Sequence, residues 1–394
     1  MRIALIIVRY GVEIVGGAET AARKLMERLA ARGHHVEVLT TCLRHLQTQA
    51  DAFREGQAMI NGVPVRRLPA GSDSYRAPDT IARIEMKMEA SLPLTIEEQY
   101  RMVDAGLHSP KLYAYLSAHG AQYDFLVFSH YWMGLTYYGA TLFPDKAIIW
   151  PHLHDFEPFA HAEPTRLLLE DSLGIVLNSQ WEMEFAKDEL GVTNPRMKVI
   201  GLGIEEDPGD PAFAEEVYRV KAPFMLYAGQ LEQGKNVPLL IEYFLRYKER
   251  GPSDLKLVLM GTGPEPVPRH ADVVPLGFIP EDHKRHVFAA ATLLCQPSVR
   301  ESFSLVIMES WLQGVPVLVH RDCGVTRHHC RSSNGGLYFA GYDEFEACLD
   351  LLLGSPSLRA TMGQNGRRYV VSNFNWDTVV DRFEEALQAW AKGR

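Results

Sequence analysis

Short apolar runs alternate with amphipathic stretches along most of the chain, a pattern that predicts parallel β-sheets covered by helices on both faces. Residues 3–8 are the first such run, and a glycine-bearing loop from Gly11 to Gly17 follows. Ala18, Ala21, Leu25 and Leu29 then recur at helical spacing until Gly33 closes the helix. The next strand is expected at 36–40, with others at 125–129, 147–150, 174–178 and 198–202. Between 205 and 223 no periodicity is clear. The stretch Glu205-Glu206-Asp207-Pro208-Gly209-Asp210-Pro211 reads as the start of a linker.

Beyond the linker the plan begins again. A strand at 224–228 leads into a glycine-containing loop, 229–235, and a helix over 237–247. Further strands are expected at 255–260, 273–276, 293–296 and 316–319. The expected fold class is therefore α/β, with two successive doubly wound domains facing across a cleft. Their expected extents are 1–204 and 205–375, followed by a terminal helix over 376–394 that crosses back to the first domain. Val379, Val380, Phe383, Ala386, Leu387 and Trp390 make one apolar face of that helix. Open α/β sheets take ligands at the carboxyl ends of their strands, so the site is expected in the cleft.

A chain of 394 residues is too long for one ordinary core, which agrees with two domains. With 46% hydrophobic and 23% charged residues it has the composition of a soluble globular protein. The net charge of −9 carries no basic stripe, which argues against a nucleic-acid partner. Five cysteines without paired spacing fit a reducing compartment. The apolar run at 3–8 is too short for a signal peptide, and no apolar stretch approaches the ~18 residues of a membrane span. The expected location is the cytoplasm, with peripheral contact at the inner membrane face left open.

The most informative stretch is Arg300-Glu301-Ser302-Phe303-Ser304-Leu305-Val306-Ile307-Met308-Glu309-Ser310. It follows a strand and the turn Pro297-Ser298, and enters a helix ended by Gly314 and Pro316. Ser302 or Ser304 is expected to cap that helix, leaving N–H groups near Ser304, Leu305 and Val306 to receive a phosphate. Glu301 stands before the helix and Glu309 within it. Because helical side chains lean toward the N-terminus, both carboxylates can flank one ligand there. Two carboxylates are poor phosphate ligands but good acceptors for sugar and ribose hydroxyls. As an isolated pair they read more readily as solvated surface charge, since the spacing is common by chance; the strand–turn–helix setting is what favours a site.

Three other places carry candidate chemistry. Lys235, at the end of the loop Gly229-Gln230-Leu231-Glu232-Gln233-Gly234-Lys235, can neutralise a pyrophosphate leaving group, although a loop lysine is commonly just surface. Gly16-Gly17 lets backbone approach a phosphate or substrate, or is simply a turn. In Pro151-His152-Leu153-His154-Asp155 a histidine can orient a hydroxyl, or be a hydrogen-bonded structural residue. Neither His152-x-His154-Asp155 nor Cys323 and Cys330 with His328 and His329 has the ordered spacing of a zinc site, so no metal is expected. Gly261-Thr262-Gly263-Pro264 is not a dinucleotide fingerprint.

Taken together and in order, these residues resemble the family 4 glycosyltransferases. The likeness runs nearly end to end, through Gly16-Gly17-Ala18-Glu19, Arg32-Gly33-His34-His35-Val36, His154-Asp155 and Ala228-Gly229-Gln230-x4-Lys235-Asn236. It continues in Leu276-Gly277-Phe278-Ile279-Pro280, Glu301-x7-Glu309, Gly314-Val315-Pro316-Val317 and Asn365-Gly366-Arg367-x7-Phe374-x-Trp376. Ser333-Asn334-Gly335-Gly336-Leu337-Tyr338 is similar to bacterial surface-polysaccharide members.

The resemblance implies the GT-B fold, two Rossmann-like domains, and a retaining hexosyltransferase acting without metal or cofactor. Its partners would be a nucleotide-sugar donor and a saccharide or lipid-linked acceptor. Glu301 would position the donor sugar and Glu309 the ribose. Lys235, with backbone and side chains from Ser302, Phe303, Ser304, Leu305 and Val306, would hold the diphosphate region. Gly17 would sit against donor phosphate or acceptor, His154 near the transferred sugar, and Phe278 and Ile279 beside the base. Gln230 stands where the family usually has arginine; losing that charge-assisted contact costs on the order of 2–4 kcal/mol of transition-state stabilisation. Ser302 and Ser304 stand where glycines are commoner. Two rival roles share the architecture. One is a nucleotide-sugar epimerase, for which Glu13, Glu19 or Asp155 would have to supply a second carboxylate. The other is a non-catalytic donor-binding partner.

Overall fold

The computed structural model describes every residue except 15, 47–51, 71–77, 91, 155–157, 252 and 393–394. The chain divides into two units, Met1–Gly201 with Val380–Arg394, and Leu202–Val379.

The first unit holds an eight-stranded sheet: β1 (Arg2–Ile7), β2 (His35–Thr41), β3 (Gly56–Ile60), β4 (Val63–Leu68), β5 (Phe125–Ser129), β6 (Ala147–Trp150), β7 (Gly174–Leu177) and β8 (Met197–Val199). Its order is β3-β4-β2-β1-β5-β6-β7-β8, parallel except for the antiparallel β3–β4 pair. Val36, Val38 and Leu39 on β2 and Leu126, Val127 and Phe128 on β5 are buried on either side of β1, whose residues from Ile3 to Ile7 are all buried. Such burial explains why the central strands read as unbroken apolar runs.

The second unit holds β9 (Phe224–Ala228), β10 (Lys256–Met260), β11 (Val273–Gly277), β12 (Leu293–Gln296), β13 (Val317–His320) and β14 (Gly336–Phe339), all parallel, in the order β11-β10-β9-β12-β13-β14. In each unit the strand order reverses beside the first strand, between β1 and β5 and between β9 and β12. That reversal splays the loops at the carboxyl ends apart and opens a place for a ligand.

Several details depart from the expectations. The β3–β4 hairpin and β14 lie where no strand was expected, and β8 ends at Val199 rather than 202. The expected linker contains a helix, Pro211–Tyr218, because the Asp210 side chain accepts from Ala212 N and Pro211 occupies the first turn.

Close backbone approaches explain two glycine motifs. Gly261 has φ +141°, and a Cβ there would lie 1.8 Å from the Gly229 carbonyl oxygen. That glycine lets the loop after β10 rest against the loop after β9. A Cβ on Gly366 would lie 2.1 Å from Trp311 Cδ1, so the helix Pro356–Asn373 can cover that buried indole only with glycine there. In the helix Trp376–Ala391, all six expected apolar positions are buried. Within the first unit, Arg32 donates to Asp381 and Glu384, and His34 Nε2 lies 2.8 Å from Glu384 Oε1. The Arg32-Gly33-His34 motif therefore works as a docking point for the chain's last turns.

Candidate active site

In the second unit the loops after β9 and β12 meet side by side, as their strand adjacency requires. Lys235 Nζ donates to Glu301 Oε1 at 2.9 Å and to the Arg300 carbonyl at 3.3 Å. Asn236 Nδ2 reaches the Pro297 carbonyl at 3.2 Å, a second tie between the same loops. Gln296, the last residue of β12 and 3% exposed, donates from Nε2 to Glu301 Oε1 at 3.2 Å. An ammonium and an amide thus both hold the same Glu301 oxygen, Oε1. The Tyr227 hydroxyl donates to the Gln230 carbonyl at 2.7 Å, which fixes the backbone there while the Gln230 side chain stays exposed.

The helix Leu305–Leu312 begins beside this cluster. The expected side-chain cap is absent. Ser304 occupies the N-cap position in the left-handed region, φ 67°, and its buried Oγ has no hydrogen-bond partner. A normal cap requires an extended backbone, from which the hydroxyl reaches back over the first turn; the left-handed turn aims it elsewhere. The first-turn amides of Leu305 and Val306 therefore have no acceptor from the preceding turn or from Ser304. Phe303 is 1% exposed and packs its ring edge-on against His329 at 5.3 Å and Phe374 at 5.0 Å. It anchors the loop from beneath, while Ser302, Leu305 and Val306 stay partly exposed.

Glu309 lies on the next turns of this helix and bonds Lys284 Nζ at 3.1 Å. Ile279 is buried and its neighbour Phe278 is 70% exposed, so only the phenyl ring stands clear of the protein.

The candidates in the first unit form a separate group. Gly17 opens the helix Gly17–Ala31, and Glu19 in its first turn is buried and paired with Arg9. His154 is half-buried, and Asp155 lies outside the described residues. His152 is a structural residue: it is 4% exposed, with Nε2 3.3 Å from Ser129 Oγ and Nδ1 3.0 Å from Asn178 Nδ2. Burial first, then His130 and His154, hold its pKa well below the usual histidine value, so it is neutral. Both His130 (φ 71°) and His152 (φ 55°) adopt left-handed backbone at the carboxyl ends of β5 and β6, a strain that neighbouring bonds must maintain.

Glu182 supplies some of those bonds. It is wholly buried and accepts from Leu153 N at 2.6 Å and Asn178 N at 2.5 Å. Burial pushes its pKa up to about 8, against the pull of the amides of Asn178, Leu153 and Ser179.

The sequence reasoning missed Gln296, Lys284 and Glu182. Gln296 was visible as a polar residue ending an apolar strand; the other two carry no local signal.

Two family descriptions match in succession: "Glycosyl transferase 4-like domain" over residues 16–203 and "Glycosyl transferases group 1" over residues 210–369. The chain belongs to the family 4 glycosyltransferases. This glycosyltransferase is 26% identical to a D-inositol 3-phosphate glycosyltransferase of Acidothermus cellulolyticus, over 93% of this chain and 84% of that one. It is 25% identical to an MMP alpha-(1->4)-mannosyltransferase of Mycolicibacterium hassiacum, over 96% of each chain. The structure of Anabaena HepE in complex with UDP superposes with a TM-score of 0.70 at 16% identity, covering 99% of this chain and 100% of that one. The fold of this glycosyltransferase is GT-B, with two Rossmann-like parallel sheets. No described helix is long and apolar enough to cross a membrane.

Proposed function

We propose that the enzyme transfers a hexose, with retention of anomeric configuration, from a nucleotide diphosphate sugar to a hydroxyl of a saccharide or lipid-linked acceptor. The observation that carries this reading is the meeting of Lys235 with Glu301 at the start of the helix Leu305–Leu312. A diphosphate needs positive charge and free amides; a sugar needs a fixed acceptor for its hydroxyls. Those groups lie on adjacent loops. The name and ligand of Anabaena HepE in complex with UDP, and the sugar-transfer names of the two curated relatives, support a nucleoside diphosphate sugar as donor.

In this reaction the acceptor oxygen bonds to the anomeric carbon on the face from which the phosphate leaves. The departing phosphate oxygen takes the acceptor's proton. Lys235 and the helix amides stabilise the charge that grows on the diphosphate, while Glu301 orients the sugar. His154 would lie near the transferred sugar and Gly17 beside phosphate or acceptor. Phe278 would flank the base. No metal or cofactor takes part in this scheme. The biological setting we favour is cell-surface polysaccharide or glycoconjugate assembly at the cytoplasmic side.

Thermal-shift measurements with UDP, GDP and ADP test the donor reading, since a ligand bound only by the folded state raises the unfolding temperature. One nucleotide should raise it in a dose-dependent way, and its sugar conjugates should then be tried as donors. No shift with any of the three at millimolar concentration would overturn the proposal.

A further inference from the structure

Lys284 belongs to the helix Glu281–Ala290, which begins just after Phe278, Ile279 and Pro280, yet its side chain reaches the helix Leu305–Leu312. Its Nζ lies 3.1 Å from Glu309 Oε1, and 3.3 and 3.1 Å from the two oxygens of Glu281. The side chains of Lys284 and Glu309 are 25% and 23% exposed, whereas that of Glu281 is 83% exposed. The Lys284–Glu309 pair is thus half-buried, whereas the Glu281 carboxylate, at the same distance, is solvated.

We propose that Lys284 is a positioning residue for ribose recognition, holding the Glu309 carboxylate where the donor's ribose hydroxyls dock. The proposal rests on the reading of Glu309 as the ribose acceptor. A glutamate in mid-helix has three side-chain torsions, and a free one loses that freedom on binding. The ammonium fixes it beforehand. An ionised carboxylate has about four acceptor positions, so the bond from Lys284 to Oε1 does not by itself exhaust them. Burial works against the lysine charge, but Glu309 and then Glu281 outweigh it and raise its pKa, so the group stays an ammonium. The link also joins the helix that follows the base-side loop to the helix that carries the ribose carboxylate. A salt bridge of purely structural value would alter stability without altering which nucleotide is preferred.

Isothermal titration tests this with wild type, Lys284→Met, Lys284→Gln and Lys284→Arg. The probes are UDP, GDP and ADP, and the 2′,3′-dideoxy form of whichever binds. Wild type should prefer the ribonucleotide. Lys284→Met should weaken ribonucleotide binding about tenfold and leave the dideoxy Kd within about twofold, erasing the preference. Lys284→Gln should do the same more mildly, and Lys284→Arg should keep the preference. If Met and Gln variants weaken both nucleotides alike, or retain the full preference, Lys284 plays no part in ribose recognition and the inference fails alone. If wild type shows no ribose preference, the assignment of Glu309 fails and the inference fails with it. Should the Met variant not fold, the Gln variant decides between these outcomes.

Discussion

Lys235 Nζ and Glu301 Oε1 lie 2.9 Å apart, joining loops whose residues are 66 positions apart in the chain. Their side chains are 29% and 11% exposed, so the pair is sheltered but reachable from one side. In the proposed reaction the two separate in task, the cation serving the diphosphate and the carboxylate serving the sugar.

Lys235→Ala and Glu301→Ala should each lower kcat by about 10²–10³, the usual loss of a preorganised charge-stabilising group. Far-ultraviolet circular dichroism should be unchanged. Release of nucleoside diphosphate with the donor found by thermal shift is the readout. Full turnover in both variants would remove this cluster from the active site.

Gln230→Arg should preserve or raise turnover. Its backbone is anchored by the Tyr227 hydroxyl and its side chain is exposed, so a longer cation fits without repacking. The gain expected from one added charge-assisted contact is up to about tenfold in kcat, measured at saturating donor. A fall of that size would show that the glutamine is itself required.

Ser304→Gly should stabilise the protein by about 1 kcal/mol in urea unfolding. The left-handed backbone costs a residue with a Cβ about 1–2 kcal/mol, and the partnerless buried Oγ adds a desolvation cost; the extra flexibility of glycine when unfolded offsets part of this. Ser304→Val should destabilise, since a branched side chain tolerates that conformation worse. A destabilised glycine variant would mean the hydroxyl is engaged in the fold after all.

His329 should make the second unit acid-sensitive. Burial, then His328, lowers its pKa from 6.5 to about 3, so it is neutral when folded. Between those values the unfolded chain binds the extra proton, and stability therefore falls as pH falls. From pH 6.5 to 5 this contribution is about 1.6 kcal/mol. His329→Phe keeps a ring against Phe303 and Phe374 but cannot titrate, so its unfolding free energy should drop by that much less over the same interval. Parallel pH dependences for the two proteins would exclude the assignment.

Much of the fold was legible because its central strands are buried on both faces and so appear as plain apolar runs. The β3–β4 hairpin escaped notice although its turn is Asn61-Gly62, with φ 47° and 80°. The residues of β3 are mostly exposed, and an edge strand without an apolar face leaves only the turn as a signal. The serine cap failed for a different reason. A serine before a helix fits a cap only if its backbone is extended, and tertiary packing of Phe303 beneath the loop goes with a left-handed turn instead.

What the sequence alone determined was periodic and local: two α/β units, the loop–helix junctions at Gly17, Lys235 and Leu305, and the apolar face of the last helix. Each follows from residues within a few positions of one another. The tertiary structure decided which side chains meet across those junctions. Strand order brings Gln296 to Glu301, helix packing brings Lys284 to Glu309, and burial makes Glu182 a brace for the His152 loop. Polar groups acquire their roles from partners and solvent exclusion, and both depend on which distant segments the fold makes neighbours.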